Sequence, residues 1–154
     1  MSNEIKTIVK WFSDAKPNPT IEDACVQIGC HYEEVAEMAD ATCDADVHSD
    51  CENSSYHYKV KNKNYLSDLE LLSQDDEVKI ELLDSLCDQI VTAVGVGHML
   101  NLDIIGALSE VIASNDSKRM PDGTFPLDEN GKITKESPNF FRPDLSKFIG
   151  GNNE

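Results

Sequence analysis

Residues 21–41 read IEDACVQIGCHYEEVAEMADA, and this stretch decides the fold class because it carries a helical period together with an unusual charge pattern. At about 100° per residue, Ile21, Ala24, Ile28, Val35, Met38 and Ala39 share one side, while Glu33, Glu34, Glu37 and Asp40 share the other. Thr20 stands before the run as an N-cap, and Glu22 and Asp23 are favoured in the first turn by the positive end of the helix dipole. Gly29 weakens the helix without forbidding it. The acidic side opposes it, since like charges three and four residues apart cost roughly 0.2–0.5 kcal/mol per pair. Alone, such a stripe reads as the solvated face of an acidic protein. Val26 and Cys30 continue the same sector one and two turns earlier, however, into apolar territory that favours burial.

Outward from this helix the pattern stays helical. NEIKTIVKWFSD (3–14) places Ile5, Ile8, Val9 and Phe12 at helical spacing, and the two prolines of AKPNPT (15–20) end it. Residues 43–66 alternate acidic, Ser/Asn-rich and basic pieces without a sustained period, which predicts a short helical extension and then a loop. YLSDLELLSQ (65–74) predicts a short helix, and DDEVKIELLDSLCDQIVTAVGVGHML (75–100) a long one beginning after its aspartates. Asp103 caps a further helix, IIGALSEVIASN (104–115). Beyond it, D-G and N-G turn signals and prolines predict a hairpin or loop tail, with residues 151–154 disordered. The expectation is an all-α chain, a four- to five-helix bundle in a single domain over residues 1–150.

The chain has 154 residues, 40% hydrophobic and 27% charged, enough for one domain with a core. It contains no apolar run of membrane-spanning length, and MSNEIKTIVKWF lacks the succession of a signal peptide, so a soluble, cytoplasmic protein with no membrane partner is expected. The five cysteines read as reduced thiols. A zinc set of Cys43, His48 and Cys51 lacks a fourth ligand at a familiar spacing, so packing and surface thiols are the simpler reading. Twenty-nine acids against thirteen bases leave a net charge of −16, which argues against nucleic acid as a partner. The excess suits carboxylates that gather divalent cations, or a surface for a basic partner.

The 75–100 helix carries a second acidic line. Glu81, Asp84 and Asp88 recur at i, i+3 and i+7, opposite Leu82, Leu83, Leu86, Ile90 and Ala93, and small Thr92 and Gly95 continue the line. A helix apolar around most of its girth is expected at the centre of a bundle, which would turn these acids inward. Buried carboxylates must be paired, protonated or metal-bound, and in the sequence only Lys79 lies near a stripe. Mg²⁺ or Mn²⁺, hard cations that take carboxylate oxygens, is the economical counter-charge.

The ordered pair EEVAE (33–37) and ELLD (81–84) resembles the all-α nucleotide pyrophosphohydrolases of the MazG type, which include the phosphoribosyl-ATP pyrophosphohydrolase and dimeric dUTPase branches. VQIGCHYEEVAEM, LLDSLCDQIVTAVG and SNDSKRMPDGTFPLDENGKITK are also similar to small members, so that the likeness runs over roughly residues 7–145. It implies an α-helical homodimer or dimer of dimers that hydrolyses a (deoxy)nucleoside triphosphate between the α and β phosphates, with Mg²⁺ required. Carried over by position, Glu34, Glu37, Glu81 and Asp84 would hold the metal, Asp88 would be an outer ligand, and Glu33 would orient or deprotonate the attacking water. Asn115 and Lys118 would contact the nucleotide, Lys132 and Lys135 would close over phosphates, and Gln27 and His31 would meet the base or sugar.

Two departures keep base choice from being carried over: Val91 and Thr92 stand where many relatives have an aromatic, and the 43–66 loop is longer and more polar. Tyr56, His57 and Tyr58 either shape the base pocket or pack that loop down. Phosphoribosyl-ATP is the alternative substrate, and a non-catalytic acidic protein that occupies a basic partner is the alternative from another class.

Overall fold

A computed structural model of the chain describes residues 3–150; the 151–154 tail lies outside them. The described residues are all-α, with six helices: α1 (Asn3–Ala15), α2 (Ile21–Ala41), α3 (Ala45–Lys59), α4 (Lys63–Leu72), α5 (Asp76–Met99) and α6 (Ile104–Asp116). A short 3₁₀ turn follows at Ser146–Phe148. The chain groups into two compact units. One comprises Asn18–Val78 with Leu127–Lys132; the other comprises the leading segment through Pro17, Lys79–Pro126 and the segment from Ile133 onward.

The first unit is built on an α2–α3 hairpin. Thr20 and Asp23 form a reciprocal capping box: Thr20 Oγ1 accepts from the Asp23 N–H at 3.2 Å, and the Asp23 carboxylate accepts from the Thr20 N–H at 2.9 Å. The far end closes with Cys43 in the left-handed region (φ 61°), its N–H on the Asp40 carbonyl and the Asp44 N–H on the Ala39 carbonyl. That is a Schellman ending with cysteine where glycine is usual. The chain then returns antiparallel. His48 Nδ1 donates to the Ala36 carbonyl at 3.0 Å, and Cys25 Sγ donates to the Tyr58 carbonyl at 3.4 Å.

Small residues set the spacing. Cys25, Val26, Gly29, Ala36 and Ala39 are the buried residues of α2, whereas Met38 and Ala24, assigned by periodicity to the apolar side, are exposed. The buried stripe is therefore rotated toward the positions where α3 approaches. At Gly29 a Cβ would lie 2.8 Å from the Ser55 carbonyl oxygen and 2.8 Å from Lys59 Cγ, so the glycine that weakens the helix locally is what admits its neighbour.

The expected loop over 43–66 is corrected: Ala45–Lys59 is a full helix, capped by the Asp44 carboxylate on the Val47 N–H. Its Ser, Asn and Asp content hides it from a propensity reading, and packing on α2 supplies what propensity does not. Tyr56, His57 and Tyr58 accordingly sit on a helix. Tyr58 stacks on Tyr32 and meets Tyr65 edge-on, and His57 stacks on Tyr65, so these rings join α2, α3 and α4.

In the second unit α1 packs on α6. Trp11 meets Phe12 and Phe125 edge-on and donates its indole N–H to the Asn115 carbonyl at 3.1 Å. Asp103 caps α6 as expected, accepting from the Gly106 N–H at 2.9 Å. Buried serines hold the segment that follows: Ser114 Oγ donates to the Phe141 carbonyl and Ser137 Oγ to the Arg119 carbonyl, each at 2.8 Å. The D-G and N-G signals are turns, with Gly123 and Gly131 at φ 89° and 90°.

Helix α5 differs from its expected place at a bundle centre. Gly97, against Ile104, is its one buried residue, while Leu82, Leu83, Leu86, Ile90, Val91 and Val94 are all exposed. Among the described residues of the unit that holds Lys79–Met99, no other helix packs along it. Glu81, Asp84 and Asp88 are exposed as well. The period that predicts burial is present, while the residues that carry it are exposed.

Candidate functional site

Glu33, in the α2 stripe, is engaged by two lysines. Its Oε2 accepts from Lys132 Nζ at 2.7 Å and from Lys59 Nζ at 2.8 Å. Two ammonium groups thus share one carboxylate oxygen. The sequence reading placed only Lys79 near a stripe. Folding brings in Lys59 from the last turn of α3 and Lys132 from a turn ninety-nine positions downstream.

The turn that presents Lys132 is rigid by its own bonding. Asp128 accepts on Oδ1 from the backbone N–H groups of Asn130 and Lys132, both at 2.9 Å, and its own N–H bonds the Lys132 carbonyl at 2.9 Å. Lys61 Nζ ties the turn to the end of α3 through the Asn130 carbonyl at 3.4 Å, and lies 3.7 Å from Glu22. Lys59 is held by its stem, which lies over Gly29 and leaves the side chain 18% exposed.

The electrostatics agree from both partners. Burial pushes the Glu33 carboxyl up, but the Lys132 and Lys59 ammonium groups outweigh it and hold the acid below its usual range. Burial pushes the Lys132 ammonium down, and the Glu33 carboxylate outweighs that and holds it above its usual range. Burial raises the Cys30 thiol, one turn before Glu34, against the opposing pull of Lys132 and Lys59. Glu33 is a carboxylate at neutral pH, and Lys132 is charged.

The other candidates are distributed as follows. Gln27, His31, Glu34 and Glu37 are exposed along α2. Lys118 Nζ donates to Asn115 Oδ1 at 2.7 Å and lies 6.0 Å from the centre of the Trp11 ring. It borders an apolar groove of about 110 Å³ between α1 and α6, lined by Ile8, Trp11, Phe12, Leu108, Val111 and Ile112 together with Asn115. Lys135 lies 5.9 Å from the Phe140 ring centre. Lys59 is the residue the sequence reading missed. The signal was the basic KVKNK piece (59–63), read there as part of a loop.

Among the described residues, no three His, Cys, Asp or Glu side chains gather into a group that would hold a metal ion. The donors themselves suit Mg²⁺ in kind. Glu34 with Glu37, and Glu81 with Asp84 and Asp88, offer carboxylate oxygens one turn apart on rigid helices.

No described helix is long and apolar enough to cross a membrane. Comparison with protein-family models, curated proteins and solved structures finds no match to this chain.

Proposed function

We propose that this chain is a Mg²⁺-dependent nucleotide pyrophosphohydrolase, cleaving the α–β phosphoanhydride of a (deoxy)nucleoside triphosphate to a monophosphate and pyrophosphate. The observation that carries the reading is the Glu33–Lys132 contact at 2.7 Å. The resemblance assigns the acidic motif of α2 and the GKITK segment to one substrate site, and these two residues, far apart in sequence, touch.

Glu34, Glu37, Glu81 and Asp84 would hold the metal, with Asp88 outside them. When bound, a divalent cation supplies neutralisation of phosphate charge and a more acidic water. The chain's own residues supply position and proton transfer. Water forms a P–O bond at the α–β bridge as the bridging P–O bond breaks, and its proton passes to the Glu33 carboxylate, which the two lysines keep ionised. Lys132 and Lys135 neutralise phosphate oxygens as point charges. Asn115 and Lys118, with Gln27 and His31, meet the nucleoside.

The working unit in this reading is a homodimer or dimer of dimers. Support comes from α5: 24 residues span roughly 36 Å at 1.5 Å per residue, enough length for a standard interface of about 800 Å² per partner. A second copy of the chain fits that face because its own α5 needs the same cover. A cytoplasmic setting suits the five free cysteines.

The test is pyrophosphate release from purified protein over NTPs, dNTPs and phosphoribosyl-ATP, with and without Mg²⁺ or Mn²⁺. Turnover of a triphosphate with metal supports the reading, and preference for phosphoribosyl-ATP moves it to the alternative substrate. If nothing turns over, the enzyme reading fails and the acidic surface for a basic partner takes its place.

A further inference from the structure

We infer that Lys59 and Lys132 form a preorganised pyrophosphate-binding pair, and that Glu33 is its internal counter-ion, displaced when a polyphosphate anion binds. Lys59 belongs to none of the motifs that carry the resemblance, so the pair is a property of the tertiary structure. The identity of the anion rests on the pyrophosphohydrolase reading; the pair itself does not.

Three observations converge. The chain carries sixteen excess negative charges, yet Lys59, Lys61 and Lys132 are brought together around the start of the α2 acidic stripe and the 128–132 turn. Both Lys59 and Lys132 bond the same oxygen of Glu33, so one carboxylate oxygen carries two ammonium groups. Each lysine is fixed by something other than Glu33. The Lys59 stem is wedged over Gly29, and the Lys132 backbone is bonded to Asp128. An ordinary surface pair orders two free side chains for little return. Here the Lys59 stem and the Lys132 backbone are placed in advance, which lowers the cost of binding an anion between the two side chains.

A phosphate oxygen is the natural replacement for the Glu33 oxygen. It presents more charge and more acceptors to the same two donors, and charge-assisted bonds to it are short and strong. Displacement also returns Glu33 to its place beside Glu34, as a carboxylate available to the attacking water. Substrate arrival and release of the base are then one event, and by linkage the bound anion and the Glu33–lysine pairing weaken each other. Lys59 is a substrate-contacting residue on this account, alongside Lys132.

The experiment is calorimetric titration of inorganic pyrophosphate into metal-free protein: wild type, Lys59→Gln, Lys132→Gln and Glu33→Gln, with circular dichroism to confirm helical content. Glutamine at 59 keeps the stem over Gly29, and Lys132 sits on a self-bonded turn, so its variant stays informative if the first fails to fold. Affinity is expected to fall about tenfold in each lysine variant and to rise about tenfold in Glu33→Gln, the scale of one charge-assisted hydrogen bond. Wild-type protein that binds no pyrophosphate, a folded lysine variant that binds like wild type, or Glu33→Gln that binds no tighter overturns the inference and leaves the triad as a structural tie. Turnover measured in parallel separates the two claims. Pyrophosphate binding that responds to the lysines without any turnover sinks only the enzyme reading, and turnover with lysine-insensitive binding sinks only this one.

Discussion

Gly29→Ala is the most discriminating perturbation of the fold, because local and tertiary physics give it opposite signs. In an exposed helix interior, replacing glycine by alanine stabilises by about 1 kcal/mol. At Gly29 the added Cβ would lie 2.8 Å from the Ser55 carbonyl oxygen and 3.0 Å from the Lys59 backbone nitrogen, as well as 2.8 Å from Lys59 Cγ. The first two are α3 backbone atoms, which no rotamer change moves, so α2 and α3 must separate by several tenths of an ångström along their contact. Overpacking of that kind costs typically 1–3 kcal/mol, and a backbone-to-backbone clash belongs at the upper end. Subtracting the propensity gain leaves a net loss of roughly 1–2 kcal/mol. Thermal unfolding followed by circular dichroism at matched protein concentration should show a fall of about 2–8 °C, at about 2–4 °C per kcal/mol for a chain of this size. The same separation moves Lys59 out of register with Lys132 and should weaken pyrophosphate binding. A variant more stable than wild type would mean that propensity wins and that the α2–α3 contact is looser than described.

On α5, Ile90→Lys should leave α2–α3 intact but convert the proposed assembly to monomers, read as a halving or quartering of mass by light scattering; a mass unchanged from wild type at micromolar concentration refutes the self-association of that face. The Glu33 pairing has a defined pH signature. A carboxyl held below its ordinary 4.5 contributes stability that is present above that pH and is lost as pH falls through the folded value. The melting-temperature gap between wild type and Glu33→Gln should therefore be constant near neutrality and close below about pH 4.5. A gap that persists at pH 2 would show that the pairing is not its source. Asp84→Asn and Glu37→Gln should abolish turnover while leaving stability equal or slightly higher, since each removes a like-charge repulsion on its helix. Loss of folding in both would make those carboxylates structural. Cys43→Gly should stabilise by about 0.5–1 kcal/mol in denaturant unfolding, because a left-handed cysteine is strained where glycine is not; a destabilised variant would contradict that turn geometry.

Helices whose signals are local were legible. Thr20 and Asp103 cap where a short polar side chain precedes a periodic run, and the α5 period survives its lack of cover. The α3 helix was not legible, because Ser, Asn and Asp compete with the helix backbone in isolation and only the closeness of α2 tips the balance. Gly29 was seen as a weakness for the same reason: propensity registers what a residue lacks, and only the neighbour across the contact makes that lack useful.

The sequence by itself determined the all-α class, the helix starts, and which acids share a face, since all three depend on residues within a turn or two of each other. Only the tertiary structure decided that Glu33 is shared by Lys59 and Lys132 while Glu34 and Glu37 are exposed, and that Leu82, Leu83, Leu86 and Ile90 of α5 are exposed. An ion pair across ninety-nine residues has no local period to reveal it. It exists because a tight turn and a glycine contact, each unremarkable in sequence, bring two ammonium groups to one oxygen.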